Sequence, residues 1–202
     1  MNFKTIVEKV VANETLHAKF LNTLSLMENT GARKISASEH KTKVNYIILK
    51  HACEEARHAF YLKKQIQKIT SIDNLPTYEN QYLLAPLASR EYLMYLDIRI
   101  SRYLKNTLQL TGYDLKYAAY LLVTYAIEVR ADELYPIYQE ILDKHDSKVN
   151  VKSIILEEEG HLEEMMHQMK EFSSDWETLA NKSIEIEKVL FDNWVADLGK
   201  FI

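Results

Sequence analysis

Two Glu-x-x-His motifs, about a hundred residues apart, constrain this chain more than any other feature of its sequence. The first runs from Glu55 to His58 and the second from Glu158 to His161. Residues three apart on a helix lie on one face about one turn apart, so each motif would present a carboxylate and an imidazole together. Spacing alone is weak support, because a chain with 29 acidic residues and 7 His produces it by chance.

A stronger test is whether a lone Glu can face each motif. An antiparallel helical hairpin brings together residues equidistant from its turn, so Glu28 faces Glu55 if the turn is centred near residues 41 to 42. The polar segment 36–40 lies close to that point. A further Glu-x-x-His, at Glu14 and His17, fails this test, because the position opposite His17 is near residue 66, an isoleucine.

The second motif gives the same result. Glu128 faces Glu158 if the turn is centred near residue 143, and the segment 143–148 is polar and prone to turns. The remaining match, Glu164 with His167, would face a position near residue 122, which is a leucine. We therefore expect neither rejected pair to bind metal.

The six residues that pass are Glu28, Glu55, His58, Glu128, Glu158 and His161. A Glu from each of two helices and a Glu-x-x-His from each of two others resemble the ligand set of the ferritin-like di-iron carboxylate superfamily. The resemblance covers roughly residues 3–70 and 114–172. It implies a ferritin-like four-helix bundle and a cofactor of two Fe ions, or Mn and Fe, in each chain.

The charge on these residues favours metal independently of any family. Four ionised carboxylates in a bundle core would be strongly desolvated and would repel one another. Two divalent cations would cancel the four negative charges and leave both imidazoles neutral. Without metal, we expect some of the carboxylates to be protonated. The alternative is that they are exposed residues on amphipathic helices.

Composition and periodicity predict an all-α fold in a single domain, residues 1–202, because only 4 Gly and 3 Pro interrupt long runs of helix formers. We predict two antiparallel hairpins, a long helical crossover after a break at 71–76, and an extra C-terminal helix. The predicted metal-bearing helices are about 3–36, 38–70, 114–144 and 149–172, the crossover helix about 82–110, and the last helix about 176–198.

Composition also argues against several classes of function. A net charge of −4 gives no basic surplus for nucleic acid, and no apolar run is long enough to suggest a membrane span or a signal peptide. The single cysteine, Cys53, fits a reducing compartment, so we expect a cytoplasmic protein. We expect its thiol to be a small buried hydrophobic group rather than a nucleophile.

Four residues near the ligands are candidates for supporting roles. His51, one turn before Glu55, is a candidate extra ligand or ligand support, or else a satisfied core histidine. Asp132, four residues after Glu128, could orient a ligand imidazole or be a surface residue. The superfamily resemblance suggests a redox-active tyrosine, for which the candidates are Tyr61 and Tyr125; ordinary core packing is the alternative.

Carboxylate-rich sites with two imidazoles suit iron or manganese better than structural zinc. With Glu55 and Glu158 as bridges, two such ions could activate dioxygen or peroxide. The small residue Gly31, on the face of Glu28, could leave room for dioxygen or substrate, or could simply allow close helix packing.

The long helical connection between His58 and Glu128 is most similar to that of the oxygenase branch of the superfamily. We therefore predict an oxidoreductase acting on a small or lipid-like organic substrate, with an external electron donor as a further partner. The alternatives are a ferroxidase or peroxide-scavenging protein that handles iron, and a bundle that uses metal only for stability. Trp194 and Phe191 could form a homodimer contact, or their helix could cover one side of the bundle.

Overall fold

The computed structural model describes residues 1–71 and 75–202, and all regular structure within them is helical. This confirms the all-α prediction. The helices are α1 (Phe3–Val11), α2 (Glu14–Ser38), α3 (Tyr46–Gln65), α4 (Pro86–Leu108), α5 (Gly112–Lys144), α6 (Lys152–Phe172) and α7 (Trp176–Leu198). Short 3-10 turns occupy Ile66–Lys68, Asn80–Tyr82 and Gly199–Phe201.

The predicted first helix, about 3–36, is two helices in the structure, because the chain breaks at Ala12 and Asn13. The Asn13 side chain accepts a hydrogen bond from the backbone N–H of Leu16 at 3.0 Å and so caps α2. Gly31 does not end α2, which continues to residue 38. An interior glycine costs a helix only about 1 kcal/mol. The continuation keeps Glu28 within α2.

The turn between α2 and α3 spans residues 39–45, so it is centred close to the predicted position. The second predicted helix, about 38–70, corresponds to α3. The prediction is wrong at both ends, since α3 begins at Tyr46 and ends at Gln65. Residues up to Ser38 belong to α2 instead. Helix α3 is capped by the side chain of Asn45, which accepts a hydrogen bond from a backbone N–H of its first turn at 2.8 Å.

Hydrogen bonds between paired helices set the register of both hairpins. The Ser25 hydroxyl on α2 donates to the carbonyl of Ala59 on α3 at 2.6 Å. The Gln139 side-chain carbonyl on α5 accepts from the N–H of Val151, just before α6, at 2.8 Å. The second turn, 145–151, lies later than the predicted midpoint at 143, so α6 begins at residue 152 rather than 149. Glu128 on α5 nevertheless lies close to Glu158 on α6, as predicted.

The crossover is α4, which is shorter than the predicted 82–110 because residues 80–82 form a separate 3-10 turn. Of the predicted break at 71–76, residues 72–74 lie outside the described part of the chain. α4 borders the bundle rather than only connecting its halves. Tyr92 on α4 donates a hydrogen bond to buried Glu187 on α7, and Asp97 pairs with Lys34 on α2 at 2.8 Å.

α7 has the predicted bounds, 176–198, and covers one side of the bundle. Its Trp194 is only 1% exposed and donates a hydrogen bond to Ser89 on α4 at 2.9 Å. The Arg130 guanidinium on α5 lies 2.7 Å from Glu187 and stacks on Phe191, 3.9 Å from the ring centroid. The predicted dimer contact through Trp194 is therefore wrong, because this side chain is buried within the chain itself.

Two properties of the helix surfaces bear on the earlier expectations. Cys53 is exposed, so the prediction of a buried thiol is wrong: it lies on the outer face of α3, one position away from the inward-facing side chains. Among the described helices, none combines the length and the hydropathy that a membrane span requires.

Candidate metal centre

Helices α2, α3, α5 and α6 bring the six predicted ligands together in two overlapping groups. One consists of Glu28, Glu55, His58 and Glu158, and the other of Glu55, Glu128, Glu158 and His161. Within each group, one nitrogen or oxygen atom from every residue lies within 4.8 Å of the others. Glu55 and Glu158 belong to both groups. That shared membership is the bridging arrangement expected for these two carboxylates.

Each imidazole directs its Nδ1 atom into the cluster. His58 Nδ1 lies 3.1 Å from one Glu158 oxygen, and His161 Nδ1 lies 3.3 Å from the other. The orientation at these contacts is not that of a hydrogen bond, so both Nδ1 atoms and one Glu128 oxygen are buried without a partner. Buried polar atoms are nearly always satisfied. Three unsatisfied atoms in one space indicate a site for a cation.

The other ring nitrogens are held by two acids that the sequence analysis missed. His58 Nε2 lies 2.8 Å from Glu157 on α6, and His161 Nε2 lies 2.8 Å from Glu54 on α3. A proton on Nε2, donated to the carboxylate, leaves the Nδ1 lone pair free to bind metal. The candidate for this role, Asp132, is exposed on α5, so that prediction is wrong.

Burial and crowding set the protonation of the metal-free cluster. Burial, followed by repulsion from Glu28 and Glu158, raises the pKa of Glu55 well above its ordinary value. Burial also raises the pKa of Glu128. Burial opposes ionisation of Glu158 too, but its close contacts with Glu128 and the two imidazoles outweigh burial and lower its pKa. Of the two carboxyl groups, Glu158 therefore ionises more readily than Glu128.

The imidazoles respond to the same carboxylates. Burial alone would lower the pKa of His161, yet its interactions with Glu128 and Glu158 raise it to about 11. The pKa of His58 is also raised, because contact with Glu158 and the charge of Glu28 outweigh burial. Without metal, the cluster therefore holds positive charge as protons at neutral pH. Divalent cations would take the place of those protons.

The residues present fit a pair of metal ions. Four carboxylates and two imidazoles without a thiolate form the donor set that suits iron or manganese rather than structural zinc. The buried Glu and His group could hold a metal ion, with Glu28 and His58 serving one position and Glu128 and His161 the other.

A largely apolar cavity of about 430 Å³ adjoins the cluster. Glu28, Glu55 and Glu128 form part of its wall. Its other walls come from α2, α4, α5 and α7, and include Leu24, Met27, Leu93, Val123, Ile127 and Leu134. On the crossover helix α4, Tyr92 and Asp97 also line this cavity. A ligand in the cavity would therefore contact apolar side chains and the carboxylates together.

Neither tyrosine candidate lies at the cluster. The Tyr61 hydroxyl donates to the carbonyl of Asn150 at 2.9 Å, and Tyr125 is half-buried outside the cavity wall. The tyrosine at the site is Tyr135, whose hydroxyl donates to a Glu28 oxygen. Burial and then the charge of Glu28 raise its pKa well above the ordinary value. Tyr135 follows Glu128 by seven residues, two helical turns along the same face.

His51 is a satisfied core histidine rather than an extra ligand. It is fully buried, with Nε2 2.9 Å from Glu164 and Nδ1 3.1 Å from the Tyr120 hydroxyl. Because both ring nitrogens have partners, neither is available to a metal. The ring nevertheless packs against the ligand ring of His161, with 4.7 Å between centroids. His51 therefore supports the position of a ligand through packing.

The two rejected Glu-x-x-His motifs lie outside both ligand groups, as expected from the residues that face them across each hairpin. His17 is buried with its Nε2 2.6 Å from the Tyr138 hydroxyl. Glu164 binds His51 and Lys50 at the surface of the bundle, and the side chain of His167 is 75% exposed. Each of these side chains has a partner or contacts solvent instead of the cluster.

Compared with known proteins, the chain matches no family model, no curated protein and no solved structure at the level taken as significant. A functional assignment therefore depends on the chemistry of the cluster and of the cavity beside it.

Proposed function

We propose that this protein is a ferritin-like di-metal oxidoreductase. It would use two iron ions, or a manganese and an iron ion, to activate dioxygen or peroxide toward a small or lipid-like organic substrate. The observation that carries the proposal is the pair of overlapping ligand groups, with unsatisfied buried Nδ1 atoms, beside an apolar cavity.

The cavity favours an organic substrate over iron itself. Its volume of about 430 Å³ falls within the usual range of small-molecule sites, and its walls are mainly apolar. A ferroxidase or iron-handling protein needs a polar path for hydrated cations, because transfer of a charge through apolar surroundings is costly. Of the three basic residues at this cavity, Lys34 is paired with Asp97 and Arg130 with Glu187, and the charge of the third, Lys116, would repel a metal cation.

The protein's own contribution would be to position the ligands and to exclude water. When bound, the metal ions supply the redox chemistry that reduces dioxygen or peroxide. Glu54 and Glu157 hold the Nε2 protons of the two ligand imidazoles and fix their orientation. Tyr135 holds a proton between its hydroxyl and Glu28, which fixes that carboxylate. The apolar walls keep bulk water from the reacting atoms.

Gly31 keeps the cavity open beside the ligands. A β-carbon at this position would lie 3.9 Å from a Glu55 carboxylate oxygen, so alanine fits, while a longer side chain would fill the space between cavity and cluster. Gly160 on α6 has open space around it and provides a matched control. Gly31→Leu should therefore exclude substrate, whereas Gly160→Leu should not.

Metal analysis after anaerobic loading with ferrous iron or manganese tests the site. We expect about two ions per chain. Glu55→Ala and Glu158→Ala should each lose most of this metal because both residues serve both groups. Glu163→Ala, on the exposed face of α6, is the control. Fewer than one ion per wild-type chain would refute the di-metal proposal.

Oxygen consumption tests the reaction. The iron-loaded protein, supplied with a chemical reductant, should consume dioxygen faster when aliphatic aldehydes, alcohols or fatty acids are added, and mass spectrometry should find an oxidised product. Gly31→Leu should abolish this stimulation at unchanged metal content. Repeated oxidation of excess ferrous iron, with no effect of any organic compound, would instead establish the iron-handling alternative.

A further inference from the structure

The outer face of α3 carries an exposed apolar stripe. Of the seven exposed positions in this helix, only Arg57 and Lys64 are charged. The other five recur at intervals of three and four residues: Tyr46, Leu49, Cys53, Ala56 and Phe60. Tyr46 is 77% exposed, Leu49 47% and Phe60 64%. We call these five residues the α3 stripe.

Nothing within the described chain accounts for the α3 stripe. The inward face of α3 carries Glu55 and His58, so the stripe lies on the other side of the helix from the metal ligands. An exposed helix face is ordinarily polar. A spacing of three and four residues is also the pattern of a seam between two packed helices. The stripe therefore has the form of a helix-packing surface without a partner.

We propose that the α3 stripe packs against the α3 stripe of a second copy, in a twofold-symmetric dimer. A twofold interface places the same surface on both partners, so the surface must complement itself. Here small residues, Cys53 and Ala56, lie in the middle, with aromatic rings at the ends, Tyr46 and Phe60. Two such helices running antiparallel approach closely at the centre, and each aromatic ring meets the opposite end of the partner stripe.

The available area is sufficient for such a dimer. The exposed parts of Tyr46, Leu49 and Phe60 provide roughly 350 Å² in each copy, and exposed Cys53 and Ala56 add to this area. Complete pairing of two copies would bury up to roughly 1,000 Å², the lower limit for a specific interface. Leu156, which is 70% exposed, extends the surface onto α6. It directly precedes Glu157, which contacts α3. A contiguous patch of this size on a monomer is itself a sign of an interaction site.

The charges beside the stripe permit two copies to meet. Lys50 on α3 pairs with Glu164 on α6, and Arg57 pairs with Glu157. Each copy thus neutralises these cations through its own α6. Lys64 lies at the end of the stripe, with its ammonium 5.6 Å from the centroid of its own Phe60 ring, where solvent can still reach it. The centre of the interface therefore brings no unpaired like charges together.

Sedimentation analysis of the metal-loaded protein tests the proposal. We expect the wild-type protein to sediment at tens of micromolar with twice the chain mass of 23.7 kDa. Leu49→Glu with Phe60→Glu should weaken association by about 100-fold or more, because each copy would bury two unpaired carboxylates in the interface. Ile98→Glu, on α4 and 43% exposed, is the matched control and should leave the dimer intact. Circular dichroism would establish that each variant is folded.

Cross-linking tests the location of the interface. Cys53 is the only cysteine, so a short bis-maleimide that joins two chains must join two copies of this residue. We expect a covalent dimer from wild-type protein and none from Cys53→Ser or the double variant. A folded wild-type monomer would overturn the proposal, including one that binds phospholipid vesicles. So would a dimer that is not cross-linked through Cys53, or one that survives the double variant.

Discussion

The metal-free protein should lose stability as the pH rises from 6.5 to 8, because the folded cluster holds protons that the unfolded chain has released. His161 is the clearest case, since its contacts with Glu128 and Glu158 raise its pKa from 6.5 to about 11 against the effect of burial. The pKa values of Glu55 and Glu128 are raised as well, mainly by burial. A group of this kind stabilises the fold below its unfolded pKa, and that contribution is lost as the pH rises through the folded pKa.

Other groups define the pH range of the experiment. Burial lowers the pKa of His17 to about 4, so below pH 6.5 this residue adds stability as the pH rises, which is the opposite sign. Burial lowers the pKa of Lys63 to about 8, and above that value its released proton also adds stability with rising pH. Between these limits, the free energy of unfolding should fall by about 1.4 kcal/mol per pH unit for each retained proton.

His161 is only 1% exposed, so solvent screening does not reduce this figure appreciably. Over the range from pH 6.5 to 8, this one residue should lower the unfolding free energy by about 2 kcal/mol. For a chain of this size, that loss corresponds to a decrease in Tm of about 4–8 °C. Any proton that Glu55 or Glu128 retains in this range adds to the decrease.

Thermal unfolding of chelator-treated protein at pH 6.5 and 8 measures the effect. Glu128→Gln removes one of the two carboxylates that raise the pKa of His161, so it should reduce the pH dependence of the unfolding free energy. Glu140→Gln changes an exposed residue outside the cluster and should leave that dependence unchanged. Saturating ferrous iron or manganese should raise Tm most at pH 8, since metal binds deprotonated ligands in the folded state. An apo protein equally stable at both pH values, or a Glu128→Gln variant with the wild-type dependence, would refute this account of the cluster.

Four further substitutions test other parts of the structure. Glu54→Gln and Glu157→Gln should each weaken metal binding by about 10–100-fold, measured by competition with a chelator; unchanged affinity would contradict their role in orienting the imidazoles. His17→Ala should lower the unfolding free energy by about 1–3 kcal/mol, because the Tyr138 hydroxyl loses its partner, while metal content stays unchanged. Metal loss would mean that the hairpin register is wrong. Asn13→Ala should lower the unfolding free energy by about 1 kcal/mol through loss of the α2 cap, measured by denaturant titration; no loss would argue against a break at this point.

The sequence predicted the ligand cluster because antiparallel hairpins impose a geometric rule that short motifs alone do not. Glu28 and Glu55 could be paired from the position of the turn even though both ends of α3 were predicted wrongly. The helix boundaries depend on capping residues. These are hard to recognise where the apolar repeat of a helix continues through the cap. Asn13 and Asn45 each precede a helix, but the periodic pattern continues past both positions. The break at Asn13 was therefore missed, and α3 was predicted to begin before Asn45.

The residues around the ligands were harder to predict because their contacts cross between helices. Asp132 was selected by its spacing from a ligand on the same helix, whereas the acids that hold the imidazoles come from the opposite motif. A clue was present: each bridging Glu directly follows another Glu, at positions 54 and 157. Tyr135 could similarly have been found by extending the search from one helical turn to two. The cavity could not, since its walls come from five helices whose relative positions no local pattern specifies.

Helices α3 and α6 are joined by two reciprocal hydrogen bonds, which make the site dependent on the register of the two helices. Glu54 on α3 holds His161 on α6, while Glu157 on α6 holds His58 on α3. A shift of either helix by one residue would therefore disrupt both imidazoles at once, together with both bridging carboxylates. In the absence of metal, this arrangement retains buried charges that well-packed apolar residues could replace at no loss of stability. Protons relieve the repulsion among the carboxylates in the metal-free protein, and divalent cations would replace those protons. The pH dependence of the apo protein and the proposed affinity for metal therefore have the same physical origin.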